Sequence, residues 1–370
     1  MDSEQYIAIQ PCSSYEKSTV LKAVLTVWDT IGIPDLKGKK VLIKPNILSD
    51  KPAGKAVTTH PAVVEAVCKI ILDRGGHPCI GDSPAIQGAG FLPKNCGIQE
   101  ICERLEIPWV DFTEQTTTAS HKSATFTVTK IIDEVDYIVN LPKMKTHQFM
   151  YFTGAVKNLF GLLPSLSKSP YHLRYSSKRA FARMILDLYQ AIPVEIHIMD
   201  AVIAMEGPGP GNGTPKRVGA IIASKDGIAL DTAVVTLMGE IPKEIPILKA
   251  AFESQMITSL DPKTFHYPLA TPDEIRPDSY KTIKRSRDTS IFSVLTTQIR
   301  TWFTPKSTEV PVIEDLRCIR CSKCVQICPA DAMSLTDSVV IDYSKCIRCY
   351  CCHEVCPVDA ITINPLDHNQ

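Results

Sequence analysis

The chain carries no excess of charge: 40 Lys and Arg stand against 40 Asp and Glu in 370 residues. Without a field of one sign there is no electrostatic footprint for a phosphate backbone, which argues against a nucleic-acid partner. Long apolar runs are missing as well. No segment approaches the roughly 20 consecutive apolar residues of a membrane span, and the opening MDSEQYIAIQPCSS has neither the basic nor the apolar stretch of a secretory signal. Nucleotide fingerprints are also absent. The glycines of MEGPGPGNGTP (205–215) are spaced neither as a Walker loop nor as a G-x-G-x-x-G opening a helix, and a flexible turn accounts for them equally well. Over most of its length the chain is poor in cysteine. Cys12, Cys68, Cys79, Cys96 and Cys102 are scattered without disulfide-like spacing and read as buried apolar fillers in a reducing cytoplasm.

The other nine of the 14 cysteines crowd into the tail. CIRCSKCVQICP, from Cys318 to Pro329, returns as CIRCYCCHEVCP, from Cys346 to Pro357, at an offset of 28 residues. Both copies have the spacing C-x2-C-x2-C-x3-C-P of bacterial ferredoxins, in which three thiolates of one run reach one cubane and the fourth ligates the other. This assigns Cys318, Cys321, Cys324 and Cys356 to one 4Fe-4S cluster, and Cys346, Cys349, Cys352 and Cys328 to a second. Cys351 is left over. Zinc held by paired C-x2-C elements is the competing reading, and clusters serving only as structural staples are another.

Ahead of this module, short apolar runs alternate with helical periodicity. Residues 6–12, 40–48, 77–84, 107–112 and 136–145 read as buried strands, with helices over 15–31 and 61–74; a second stretch has helices at 178–191 and 226–239 around strands at 194–207 and 217–224. The alternation predicts an α/β fold, a mostly parallel sheet with helices on both faces, plus a small C-terminal α+β two-cluster module. We expect an α/β domain over 1–261, a linker over 262–310 and the cluster module over 311–365. The linker carries the basic run KTIKRSR and a helix with Ile291, Leu295, Ile299 and Trp302 at helical spacing, which suits packing on a domain or, with Trp302 and Phe303, on a membrane surface.

Ligands of such sheets bind beyond the carboxyl ends of the strands. That rule selects Lys44 and Asn46, Asp82 and Ser83, Lys143, Lys145 and His147, and Asp200 to Glu206. In LPKMKTHQFMYFTGAVKNLFGLLP (141–164) the period of two puts Lys143, Lys145 and His147 on one face, and a helix starting near Gly154 adds Lys157, Asn158 and free N–H groups. Buried cations need a partner. We take it to be an anionic ligand, with Asp82, Asp200 and Glu206 of the same chain as the alternative. His60, in TTHP, reads as a helix-cap residue rather than a ligand.

KPN at 44–46, TTHP at 58–61, GDSP at 81–84, LPKMKTH at 141–147, GAVKNLFG at 154–161 and MDAVIAMEGPGP at 199–210 together resemble the family known as domain of unknown function 362, whose members are often fused to two-cluster ferredoxin modules. A remoter likeness is to the N-terminal domain of the nickel-pincer lactate racemases: His147 followed by Gly154-Ala155-Val156-Lys157 resembles that family's His and Gly-x-x-Lys element, which implies that Lys157 and His147 face a cofactor or substrate. These readings predict a cytoplasmic iron–sulfur oxidoreductase. Electrons from a redox partner protein would pass through the clusters to an anionic substrate or cofactor, a flavin among the possibilities. Lys143, Lys145 and Lys157 would clamp the anion and His147 would donate the proton. The rival expectation is an electron conduit or reductive activator, with Arg320, Lys323, Lys345 and Arg348 attracting an acidic partner.

Overall fold

The computed structural model describes residues 5–86, 90–283 and 309–365. In chain order the first unit runs β1 (Ala8–Pro11), α1 (Lys17–Ile31), β2 (Lys40–Pro45), α2 (Pro61–Asp73), β3 (His77–Gly81), α3 (Ile98–Arg104), β4 (Trp109–Val110), β5 (Thr116–His121), β6 (Ala124–Thr129), β7 (Tyr137–Leu141), β8 (Lys143–His147), β9 (Tyr151–Thr153), α4 (Ala155–Asn158), α5 (Ser169–Arg174), α6 (Lys178–Ala191), β10 (Ile196–Glu206), β11 (Thr214–Ser224), α7 (Gly227–Leu237), α8 (Pro246–Glu253) and α9 (Pro272–Ile275). The tail adds β12 (Glu309–Ile313), α10 (Lys323–Ile327), β13 (Met333–Leu335), β14 (Val339–Ile341), α11 (Cys351–Val355) and β15 (Ile361–Pro365).

Among the described residues one sheet runs β1-β11-β10-β7-β2-β3-β4, with β8 and β9 branching from β10. The pairs from β10 to β4 are parallel, and β11 and β1 close one edge antiparallel. Parallel strands are covered on both faces and therefore read as unbroken apolar runs. In β2, Val41 and Ile43 enter the core beneath α1 and α2, while Leu42 enters the opposite core with α6, α7 and α8. Val20, Val24, Val27 and Trp28 of α1 are fully buried and recur at the helical period. His60 caps α2, its Nδ1 accepting from the Ala62 N–H at 3.2 Å. The hairpin β5–β6 and helix α3 are additions to the expected elements. The hairpin sequence is mostly Thr and Ser and buries only Ala119, Phe126, Val128 and Thr129, too weak a pattern to mark a strand pair.

Residues 262–283 belong to the α/β unit rather than to a linker. Phe265 and Ile283 are buried, Tyr280 Oη donates to the Met205 carbonyl at 2.7 Å, and the Lys281 N–H donates to Glu206. The amphipathic stretch 291–302 lies outside the described residues. In the tail the 28-residue repeat is also a repeat of backbone conformation. Arg320 and Arg348, Ser322 and Tyr350, and Asp331 and Asp359 all take the left-handed region, at φ of 55° and 58°, 60° and 61°, and 48° and 54°.

The tail unit docks over the carboxyl ends of the strands. Lys51 Nζ reaches Asp359 Oδ1 at 2.9 Å and the Gly211 carbonyl at 3.2 Å, and Ala85 and Ile86 pack with Ile327, Cys349 and Cys351. Here the glycine-rich loop has a use beyond turning. A Cβ on Gly209 would stand 2.3 Å from the Thr146 carbonyl, and one on Gly211 would stand 3.1 Å from the Glu354 carbonyl. The loop is wedged between β8 and α11, with no room for a side chain at Gly209 and little at Gly211.

Candidate functional site

Two small cavities in the tail are ringed by cysteines, four in one and five in the other, where Cys351 joins the four of the repeat pattern. One is lined by Cys318, Cys321, Cys324 and Cys356 with Ile313, Val339, Val358 and Ala360; the other by Cys328, Cys346, Cys349 and Cys352 with Pro311, Met333 and Ile341. In both copies a backbone N–H four residues after the fourth cysteine donates to its sulfur, Ala332 to Cys328 at 3.3 Å and Ala360 to Cys356 at 3.2 Å. Apolar walls, four thiols apart around a box and an N–H aimed at sulfur fit a cubane. Among the described residues no three His, Cys, Asp or Glu side chains converge as a single metal ion would need. The first ring reaches the surface at Cys321, whereas Cys349 and Cys352 of the second are buried.

A third cavity, of about 80 Å³, lies where the two units meet. Its walls come from strand ends (Asn46, Asp82, Ser83, Lys145, His147), from α4 and the turn after it (Lys157, Asn158, Phe160), from the segment around α5 (Lys168, His172) and from α11 (Cys351, Glu354). Lys145 Nζ donates to Asn46 Oδ1 at 2.6 Å and to the Val57 carbonyl at 2.7 Å, both neutral acceptors. Burial, reinforced by nearby Lys157, pulls its pKa down to about 7. Lys168, whose ammonium donates to the Ser83 carbonyl, is brought to about 7 chiefly by burial. Lys157 has no hydrogen-bond or carboxylate partner among the described residues; its ammonium stands 5.9 Å from the Phe160 ring centre, and burial lowers its pKa. The residue is half-buried and lines the cavity. Glu354 is pushed up by burial, against the pull of Lys157 and Lys145.

Seven of the sequence-selected residues share this cavity: Asn46, Asp82, Ser83, Lys145, His147, Lys157 and Asn158. Four do not. Lys44 is fully buried in an ion pair with Asp82 at 2.7 Å. Lys143 pairs with Asp200 at 2.7 Å, and Asp200 also accepts from Tyr15 Oη and from the His60 and Val202 N–H groups. Glu206 is taken up by the Lys281 N–H. For Lys44 and Lys143, therefore, the partner is a carboxylate of the same chain and not a ligand, because the fold brings Asp82 and Asp200 within contact of them. The N–H groups at the start of α4 are not free either. Asp231 of α7 accepts from Ala155 at 2.6 Å and Val156 at 3.1 Å.

The proton-donor role expected of His147 is corrected as well. Burial and then the neighbouring Lys157, His172 and Lys145 hold its pKa well below the usual imidazole range, so the ring is neutral. Nδ1 accepts from the Phe149 and Met150 N–H groups, which puts the ring proton on Nε2, 3.2 Å from Glu354 Oε1. A flavin does not suit the space, which is far below the about 300–1,000 Å³ of pockets for drug-sized ligands. Sequence reasoning missed Lys168, His172, Cys351 and Glu354. For the first two there was no signal. For the others there was: in the 28-residue repeat Cys351 and Glu354 stand where the first copy has Lys323 and Gln326, an asymmetry at the helix that faces the cavity.

A family model described as domain of unknown function (DUF362) matches residues 41–236, and one described as 4Fe-4S dicluster domain matches residues 303–360. The chain is 32% identical over 280 residues, 74% of its length and 87% of the relative's, to the thylakoid-associated protein sll1697 of Synechocystis sp.. The lactate racemase apoprotein from Thermoanaerobacterium thermosaccharolyticum aligns with 63% of this chain at 12% identity and a TM-score of 0.43, and the chain spans 57% of that structure.

Proposed function

The chain belongs to the domain of unknown function 362 family, and from that premise we propose that it is an iron–sulfur oxidoreductase acting on a small anion held in the junction cavity. The 4Fe-4S dicluster domain gives it an iron–sulfur electron-transfer role. Two cubanes in the cysteine rings would each carry one electron between the exposed edge of the tail and the cavity. One observation carries the reading: α11 begins with Cys351 and Cys352, so the helix that supplies a thiolate to the second ring also places Cys351 and Glu354 in the wall shared with Lys145, Lys157 and Lys168.

The chain's own residues then have distinct tasks. Lys157 and Lys168 hold the anion and stabilise the charge that grows on it during reduction. Lys145 is fixed by Asn46, whose Nδ2 donates to Asn158 Oδ1 at 2.9 Å, so its ammonium is oriented before the ligand arrives. Neutral His147 presents Nε2–H as a hydrogen-bond donor. Apolar Phe160 and Ile327 keep bulk water out. The donor protein would dock at Cys321, where Leu316, Ile319, Arg320 and Lys323 are exposed, a patch suited to an acidic electron carrier. Among the described residues no helix is long and apolar enough to cross a membrane, and the compartment we propose is the cytoplasm, where exposed thiols stay reduced.

Native mass spectrometry of anaerobically purified, brown protein tests the reading. A small anion should be retained by the wild type and lost from Lys157→Ala, with the cluster absorbance of both equal. A chain that holds no anion but copurifies in a stable complex with another protein would instead be an electron conduit for that partner.

A further inference from the structure

The cavity's chemistry limits what it can hold. Of the cations drawn to this end of the sheet, Lys44 and Lys143 are cancelled by Asp82 and Asp200. Lys145, Lys157 and Lys168 are not, and the one carboxylate facing them without a partner ammonium in contact is Glu354. At the wall, buried His172 Nδ1 lacks a hydrogen-bond partner among the described residues, the half-buried Lys157 ammonium has none either, and His147 Nε2 and Glu354 Oε1 face only each other, 3.2 Å apart. Buried polar atoms left unpaired cost about 1–3 kcal/mol each, so their concentration around one small space marks a place where a ligand completes the bonding.

We infer that the ligand is a compact oxyanion bearing two negative charges, of the size of a tetrahedral or planar inorganic anion or a very short carboxylate, gripped by Lys145, Lys157 and Lys168. This rests on the reading of the cavity as the anion site and adds its valence and size. Three lysines line the space against a single carboxyl group not cancelled by a lysine, a surplus of positive groups that a dianion meets better than a monoanion, and about 80 Å³ leaves no room for a nucleotide, a flavin or an aromatic ring. Lys145 and Lys168 titrate near pH 7 in the ligand-free cavity. The dianion prefers their protonated forms, so its affinity is greatest below pH 7 and falls as pH rises through it. Of the other titratable groups at the wall, His147 and His172 are neutral throughout this range, Lys157 stays the ligand's direct partner, Asp82 is held by Lys44, and Glu354 and Cys351 can only oppose an anion as they ionise.

The test is calorimetric titration of anaerobic, cluster-loaded protein with sulfate, a dianion at every working pH. Perchlorate serves as a tetrahedral monoanion and citrate as a bulky polyanion. Sulfate should bind at one site at least about tenfold tighter than either, with affinity declining between pH 6 and pH 8. Lys157→Met and Lys168→Met should each weaken it about 10- to 100-fold, the loss of one charge-assisted hydrogen bond, whereas Lys249→Met, on the exposed face of α8, should change nothing. No sulfate binding to the wild type, equal binding of perchlorate or citrate, or unaltered affinity in both cavity variants would overturn the inference. Paramagnetic resonance of the reduced clusters separates it from the broader reading. Sulfate that binds as expected without disturbing the cluster signals leaves the ligand class standing and defeats electron delivery to the cavity; a bulkier anion that binds and shifts those signals does the reverse.

Discussion

Lys44 and Lys157 lie at the same end of the sheet, the first fully buried and the second half-buried, yet their energetics are opposite. Lys44 neutralises Asp82, and Gly161 makes room for the pair: a Cβ there would stand 2.2 Å from Asp82 Oδ1 and 2.6 Å from Lys44 Nζ. Lys44→Met should therefore cost about 3–5 kcal/mol, the usual result of leaving one member of a buried pair uncompensated. Lys157 has no partner to lose, and its charge is only desolvated. Lys157→Met should change stability by less than about 1 kcal/mol or raise it, as removal of a desolvated, unpaired charge does. Urea unfolding of both variants with clusters loaded checks the contrast. Both lysines were legible in the sequence as members of one cationic constellation. Their difference was not, because the partner of Lys44 lies 38 residues away along the chain.

At the scale of elements, α4 is a four-residue helix held by a side chain from α7. Asp231 is buried, and its pKa is raised to about 7, mainly by that burial, although the Ala155 and Val156 N–H groups pull it back. The folded state thus favours the protonated acid more than the unfolded chain does. The stability this group contributes is fully present below the unfolded value near 4 and is lost as pH rises through about 7. Over that window the loss is at most about 4 kcal/mol, at about 1.4 kcal/mol per pH unit. Asp231→Asn should flatten the decline in the unfolding midpoint between pH 4 and pH 7, while costing a constant amount for the N–H left without an acceptor. The strands and long helices near this site were readable from apolar runs and helical periodicity. The α4 cap was not, since a run as apolar as GIALDTAVVTL signals only a buried helix, and nothing local says which of its polar residues reaches another element.

For the molecule as a whole, the two cysteine rings differ in position. The ring containing Cys321 opens to the surface, and the ring containing Cys349 abuts the cavity, an order that suits the proposed passage of electrons from a donor to the cavity. With ligands crossed between copies, as we propose, Cys318→Ser and Cys356→Ser should deplete the same cluster, to roughly four of roughly eight iron atoms, and leave the same residual spectrum. Cys346→Ser and Cys328→Ser should leave the complementary one. Iron and sulfide analysis with resonance spectra of all four variants decides it; zinc in place of iron and sulfide, or four unrelated spectra, would remove the two-cluster assignment.

The sequence by itself determined whatever short-range pattern can encode: the cysteine spacing and its 28-residue echo, the strands with both faces apolar, and the strand ends that would supply a site. Only the tertiary structure decided which cations remain free, that Asp231 occupies the start of α4, and that α11 of the tail completes the wall of a cavity in the larger unit. Coulomb and desolvation energies depend on distances through space of a few ångströms. Carboxylates tens of residues away on other strands cancelled two lysines and spared three, and no local pattern could say which.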